Sequence, residues 1–312
     1  MTHVSSFYRV EHETRYAYKA AVSTSQHVAY LRPRELPRQR VAWHDVTVEP
    51  GPAEWSRRVD YFGNAVDQFS VLKPHTVLSV RGRSLVERLD TASTLDPELS
   101  PAWEDVRDAL HFRKGAPAAE ALQFAFPSPY IGLDLGFQEF ALASFPPRRP
   151  LLEAAIDLMN RIHAGFRFDP TATTITTPVS RVLAERRGVC QDFAHLQISC
   201  MRAMGLSARY VSGYLLTDPP SDRPRLIGAD ASHAWLSVHC PRHGWVDLDP
   251  TNKLMPDLRH VTVAWGRDYG DVSPLWGVIL GGASHTLRVG VSVIPLDQAE
   301  WERARMAAIA AA

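Results

Sequence analysis

Cysteine is scarce in this chain, with three residues in 312. An odd and low count argues against a disulfide framework and fits a reducing compartment. Excess charge of either sign is missing as well. Lys plus Arg and Asp plus Glu each number 34, so no overall field draws nucleic acid or an anionic membrane. No apolar run is long enough to span a bilayer. Residues 1–8 lead straight into an alternating strand pattern without the apolar core of a signal peptide, which makes the cytoplasm the expected location. There is no Cys-x-x-Cys pair and no paired-histidine helix motif for zinc. No acidic calcium loop is visible, and Gly281-Gly282 has no phosphate-loop context. Internal repeats and low-complexity tracts are absent apart from a short Ala-rich end. What remains is 45% hydrophobic and 22% charged residues, an ordinary globular balance for one large domain or two smaller ones.

The informative stretch is Arg187-Gly188-Val189-Cys190-Gln191-Asp192-Phe193-Ala194-His195. A Gly-Val turn delivers a cysteine onto the first turn of a predicted helix. Phe193, Ala194, Leu196, Ile198, Cys200, Met201 and Met204 recur at helical spacing, and Gly205 follows as a stop. A cysteine at a helix start meets unpaired N–H groups and the positive end of the helix dipole. Both favour the thiolate, the form that attacks carbonyls. Downstream lie Asp230-Ala231-Ser232-His233-Ala234-Trp235 and Gly244-Trp245-Val246-Asp247-Leu248-Asp249-Pro250-Thr251. Cys, His and Asp in that order are the parts of a thiol acyl-transfer site: nucleophile, general base and orienting carboxylate. Cys200 falls on the apolar side of the helix. Cys240 stands beside Pro241 with no base placed for it, so neither rivals Cys190.

Four ordered blocks carry a resemblance: Gly188-Val189-Cys190-Gln191-Asp192, Ala208-Arg209-Tyr210-Val211-Ser212-Gly213-Tyr214, Ser232-His233-Ala234-Trp235 and Asp249-Pro250-Thr251. They resemble the bacterial transglutaminase-like superfamily, whose members are described as transglutaminase-like enzymes or cysteine proteases. The resemblance spans most of the chain. It implies an α+β fold with a papain-like, transglutaminase-type core, in which the helix carrying the cysteine packs on an antiparallel sheet. An all-β N-terminal domain precedes that core. It also implies a Cys190, His233 and Asp249 triad, Asp249 being the residue that matches the Asp-Pro-Thr motif. The calcium dependence of animal transglutaminases is not carried over.

In chain order, Tyr8, Val10, His12, Thr14, Tyr16 and Tyr18 alternate with polar neighbours, the period of a half-buried strand. Residues 61–66 read as a hairpin around Gly63-Asn64. His12, His27, His44 and His75 are scattered and show no ligand spacing, so they are read as structural. The expected domains are 1–90, an N-terminal β domain; 91–150, a Pro-rich connector with a short helix near 101–110; 151–296, the catalytic domain; and 297–312, a helical tail. Within the third unit, 151–168 is a helix and 179–187 a second one stopped by Gly188. Residues 208–215 form a strand, and 218–224 an exposed loop able to border a groove. Strands at 260–264 and 285–293 are expected to complete the catalytic sheet.

Strand parity tests the His–Asp pairing. His233, Trp235, Ser237 and His239 share one face of a strand; Trp245, Asp247 and Asp249 share one face of the next. If His239 pairs with Trp245 or with His243, His233 and Asp249 lie on one face, opposite or one diagonal step apart. A register shifted by one residue would separate them. Asp247 is the rival carboxylate on that face. Asp192 and His195 are read as structural support for the helix. Gln191 is a candidate oxyanion donor beside the Cys190 N–H, and Asp230 and Trp235 are candidate substrate-lining residues. The bland readings are a buried thiol for Cys190, a satisfied strand histidine for His233 and an Asp-Pro turn for Asp249. A zinc site from Cys190, His195 and His233, with Asp249 as a fourth ligand, is the minority reading.

The expected chemistry is acyl transfer or hydrolysis at an amide bond, a Gln side chain or a peptide, through a thioester on Cys190. The expected partners are a peptide or protein substrate and a primary amine acceptor, without metal or organic cofactor, nucleic acid or membrane. The alternatives are a cysteine peptidase or amidase with water as its sole acceptor, and a non-catalytic binding module that keeps the fold.

Overall fold

Alternation of apolar and polar side chains shapes the first ninety residues. The computed structural model of the protein describes residues 5–90, 95–110, 119–217 and 231–310. The opening strands are β1 (Ser5–Ala29), β2 (Gln39–Glu49), β3 (Glu54–Val59), β4 (Ala65–Val71) and β5 (His75–Leu89). Then come α1 (Trp103–Ala109), α2 (Ala119–Leu122), α3 (Leu135–Leu142), α4 (Leu151–Gly165), β6 (Arg167–Phe168), α5 (Val179–Glu185), β7 (Arg187–Gly188) and α6 (Cys190–Ala203). The chain continues through β8 (Ala208–Leu215), β9 (Ala231–Cys240), β10 (Gly244–Leu248), β11 (His260–Gly266), β12 (Leu275–Gly281), β13 (His285–Leu296) and α7 (Gln298–Ala310). The 218–224 loop lies outside the described residues. No helix among the described residues is long and apolar enough to cross a membrane.

In the first half of β1 the buried side chains are Tyr8, Val10, His12, Thr14 and Tyr18, the alternation read from sequence except that Tyr16 is half-buried. The sheet runs β2-β5-β1-β4-β3, and β12 and β13 also pair with β1. This corrects one expectation: the 285–293 strand joins the N-terminal sheet, not the catalytic one. The reason is the length of β1. Its first half has β5 along one edge, and β13 covers the other, running antiparallel from Phe7↔Leu296 to Tyr18↔His285. An uncovered edge that long would present a row of unpaired backbone groups.

The second sheet has the order β10-β9-β8-β11. Ala234, Leu236 and Val238 of β9 share one core with Leu196, Ile198, Cys200 and Met201 of α6. That helix is buried without a break from Asp192 to Arg202. Its one buried cation is satisfied: the Arg202 guanidinium donates to the carbonyls of Phe126, Ala208 and Arg267 and to the Ser128 hydroxyl. Gly205, at φ 77°, ends the helix, with the N–H groups of Gly205 and Leu206 donating to the carbonyls of Arg202 and Met201. The helix before it stops differently from the sequence expectation. Arg186, not Gly188, takes the left-handed conformation that ends α5, at φ 55°. Gly188 is small for another reason: a Cβ there would sit 2.7 Å from the Asp192 carboxylate.

The two sheets are joined by side-chain amides that mimic a strand. Gln39 accepts from the Thr262 N–H and donates to the Thr262 carbonyl; Asn64 does the same at Trp265. Both amides are fully buried. They satisfy backbone groups of edge strand β11, each of which would cost about 1–3 kcal/mol if stranded without a partner. Arg34 adds a stacking contact, its guanidinium 3.5 Å from the Trp265 ring centroid.

Candidate active site

The approach to Cys190 is pinned on both sides. β6 and β7 form a short parallel pair, Arg167↔Arg187 and Phe168↔Gly188. Beyond it the Val189 N–H donates to Asp192 Oδ2 at 2.8 Å, and the Thr173 hydroxyl donates to the same oxygen at 2.6 Å. Burial raises the Asp192 carboxyl and these two donors pull it back. Asp192 thus fixes the entry to α6, the support expected of it. Cys190 stands half-buried at the first position of the helix, where N–H groups have no intrahelical partner. Gln191 follows it, also half-buried. Cys200 and Cys240 are fully buried, and burial pushes the Cys200 thiol up to about 12.

The hairpin of β9 and β10 has the register that parity required. Trp245 pairs with His239 and Asp247 with Ser237, so Asp249 falls one diagonal step from His233. His233 Nε2 and Asp249 Oδ2 lie 2.7 Å apart, both buried. Cys190 stands close enough to the imidazole to favour its protonated form. Burial works against a charge on His233, but the hydrogen bonds to Asp249 and Cys190 and the charges on both raise it above its ordinary value. Burial likewise pushes the Asp249 carboxyl up, yet hydrogen bonds from His233, His260 and Asn252 hold it well below the usual carboxylate range. The structure therefore sets His233 against Asp249, with Cys190 near the imidazole. Asp247, the rival carboxylate, is occupied elsewhere: it accepts from Trp235 Nε1 at 3.3 Å and from the Ser237 hydroxyl.

Three participants were missed in the sequence. Asn252 Nδ2 donates to Asp249 Oδ2 at 2.7 Å and lies 3.3 Å from His233 Nε2. His260 Nε2 reaches the same carboxylate oxygen at 3.2 Å, and Asp257 backs it, with its N–H 3.2 Å and its carboxylate 3.0 Å from His260 Nδ1. Asn252 was within reach of sequence reasoning. Asp249 Oδ1 accepts the N–H groups of Thr251 and Asn252, the turn that an Asp-Pro-Thr run favours, and that turn carries Asn252 back over the carboxylate. His260 had no such signal, because β11 meets β8 through a bulge between Thr262 and Ala264.

Two expected lining residues fare differently. Asp230 lies outside the described residues. Trp235 is fully buried, so it does not line an open groove. Its indole packs edge-on to His260 at 5.3 Å and beside His233 at 6.0 Å, a floor beneath the two imidazoles. Gly213 makes room for it, since a Cβ there would lie 2.4 Å from the indole. His195 is structural: its Nε2 accepts the Tyr269 N–H at 3.2 Å, and its ring packs against Tyr130 and Tyr210. The Cys190, His195 and His233 zinc set is thus not assembled. Among the described residues, His233, Asp249 and His260 have ligand atoms within 4.8 Å of one another. There Asp249 Oδ2 already accepts three donors, His233, His260 and Asn252, which is a hydrogen-bonded arrangement and not a vacant coordination sphere.

Residues 8–87 match the bacterial transglutaminase-like N-terminal region, and residues 143–250 match the transglutaminase-like superfamily. The chain belongs to this superfamily. An uncharacterised protein of Mycobacterium tuberculosis is 42% identical over 298 residues, covering 93% of each chain. A protein-glutamine gamma-glutamyltransferase of Pseudomonas aeruginosa is 26% identical over 166 residues, which is 53% of this chain and 22% of that one. Among solved structures, a cysteine protease candidate from Cytophaga hutchinsonii superposes with a TM-score of 0.73 at 21% identity, covering 95% of this chain and 94% of that one. That likeness speaks for the transglutaminase-like fold: a cysteine-bearing helix on an antiparallel sheet, with β1–β5 forming the N-terminal all-β region.

Proposed function

We propose that the protein is a cysteine-dependent acyltransferase or hydrolase acting on amide bonds, with Cys190 as nucleophile, His233 as general base and acid, and Asp249 as the carboxylate that orients it. The observation that carries this reading is the position of His233, 2.7 Å from Asp249 and near enough to Cys190 for the thiol to favour its protonated form. In the first step the Cys190 sulfur bonds to the amide carbonyl carbon. As the C–N bond breaks, the His233 imidazolium gives its proton to the departing amine, leaving a thioester. In the second step His233 takes a proton from an incoming amine or water, the new bond forms, and the C–S bond breaks to return the thiolate. Developing charge on the carbonyl oxygen is met by N–H groups at the start of α6. Asn252 and His260 are positioning residues, acting through Asp249. The Pseudomonas relative named for glutamine acyl transfer favours a Gln side chain as the amide.

The test is incubation of the full chain with a benzyloxycarbonyl-Gln-Gly peptide, with and without hydroxylamine, beside a panel of peptides read for cleavage by mass spectrometry. Hydroxamate formation that vanishes in Cys190→Ser supports acyl transfer. Ammonia release or peptide cleavage that vanishes in the same variant assigns water as acceptor. Turnover that persists in Cys190→Ser contradicts the proposed nucleophile.

A further inference from the structure

On the face of the four-stranded sheet away from α6 lies a cavity of about 470 Å³, walled by that sheet on one side and by the N-terminal sheet with its 36–38 loop on the other. Arg209 projects into it from β8. Its guanidinium carbon lies 4.2 Å from the Trp245 ring centroid and 3.7 Å from that of Trp265, so it is packed against two indoles. The residue is 8% exposed, its buried Nε has no acceptor, and among the described residues its guanidinium makes no hydrogen bond or ion pair. Burial pushes Arg209 down to about 9, partly offset by Asp247, which leaves it cationic at neutral pH. A buried cation with a stranded donor is a costly arrangement.

Among the described residues Asp247 supplies a counter-charge, but no acceptor reaches the Arg209 Nε. The Asp247 carboxylate is engaged by Trp235 and Ser237. Arg88 adds a second buried guanidinium, held by Gln39 and by the Asp257 carbonyl, and its Nε is also buried without an acceptor. Arg38 stands at the rim, 3.6 Å from Asp90. With two indoles packed against it, Arg209 is best met along its edge, where its N–H donors form a flat fork. A carboxylate is planar and matches that fork with two parallel hydrogen bonds. Leu36, Met255, Pro256 and the two indoles give the rest of the cavity an apolar lining that suits an organic body. Asp247 in the same space disfavours a compact dianion such as phosphate.

We propose that this cavity binds a small organic carboxylate, gripped edge-on by Arg209 between Trp245 and Trp265, at a site separate from Cys190. His260 lines the cavity while its Nε2 holds Asp249, so the occupant sits one side chain behind the proposed orienting carboxylate. The site needs neither the thiol nor the reaction assigned to it.

Trp245 and Trp265 make the test direct. The full chain is titrated with cyclohexanecarboxylate at fixed ionic strength, read by tryptophan fluorescence and by the indole N–H shifts of the two residues. Cyclohexylmethanol and inorganic phosphate are titrated alongside. The expected result is saturation by the carboxylate with shifts at both indoles, equal in wild type and Cys190→Ser. Binding should be about tenfold weaker for the alcohol and for Arg209→Lys, which keeps the charge but loses the fork. Should Arg209→Lys fail to fold, the indole shifts in the wild type still locate the ligand. Absence of saturation in the wild type overturns the proposal. So does saturation by phosphate but not by the carboxylate, full binding in a folded Arg209→Lys, or binding that is lost with Cys190.

Discussion

His233→Ala is expected to lower kcat/KM for any amide substrate by about 10²–10⁴-fold, the usual contribution of a positioned general acid–base. The loss should come from chemistry and not from unfolding. Asp249 is fully buried, and a buried carboxylate stripped of its partners would destabilise the fold. Here it keeps Asn252 Nδ2 at 2.7 Å, His260 Nε2 at 3.2 Å and the N–H groups of Thr251 and Asn252 after His233 is gone. The variant should therefore melt near the wild-type temperature while its turnover collapses. Turnover measured on the benzyloxycarbonyl-Gln-Gly peptide, with circular dichroism on the same sample, separates the two effects. A folded His233→Ala protein with wild-type turnover would remove His233 from the reaction.

Stability is expected to fall steeply between pH 6.5 and 5, by about 3 kcal/mol from two histidines alone, roughly 1.5 each. Burial pushes His12 down to about 4, and its ring nitrogens lie 3.1 Å from the Tyr214 hydroxyl and 3.0 Å from the Thr14 hydroxyl. Burial, helped by Arg202, pushes His195 down to about 3; its Nε2 accepts a backbone N–H and so has no place for a second proton. The unfolded chain takes up these protons near pH 6.5. Below that the unfolded state binds more protons than the folded one, so stability declines as pH falls toward the folded values. Asp249, depressed in the fold, adds a loss of the same sign below about pH 4. His233 has the opposite sense, but its contribution is nearly constant below pH 6.5, where it is charged in both states. Urea unfolding at pH 6.5, 5.75 and 5 checks this, with His12→Gln expected to reduce the loss by about 1.5 kcal/mol. A midpoint that does not move would mean that these histidines are protonated in the fold.

The parts of the site legible in the sequence were those fixed by local chemistry. Cys190 at a helix start, and the shared face of His233 and Asp249, followed from a turn and from strand parity, and the observed pairing of Trp245 with His239 is one of the registers that parity allowed. The support shell was not legible, because it comes from distant segments. His260 reaches Asp249 from another strand, across a bulge that breaks the count of residues. Trp235 was expected to line the site; the empty Cβ position of Gly213, 22 residues earlier, is what lets it lie buried. The same limit holds for the fold. That 285–293 is a strand was readable from its alternation, but its partner was set by the uncovered edge of a strand more than 260 residues away. Gln39 and Asn64, which close the edge of β11, look like ordinary surface amides until the two sheets are side by side.

The most direct test of Cys190 and His233 as a working pair is alkylation by iodoacetamide at pH 6.5, followed at each cysteine by mass spectrometry in wild type and His233→Ala. Cys190 should label well ahead of Cys200 and Cys240, both fully buried, and its labelling should slow by at least about tenfold when the imidazole is removed. Labelling of Cys190 at the same rate in both proteins, or no faster than at the two buried thiols, would contradict the pairing on which the proposed reaction depends.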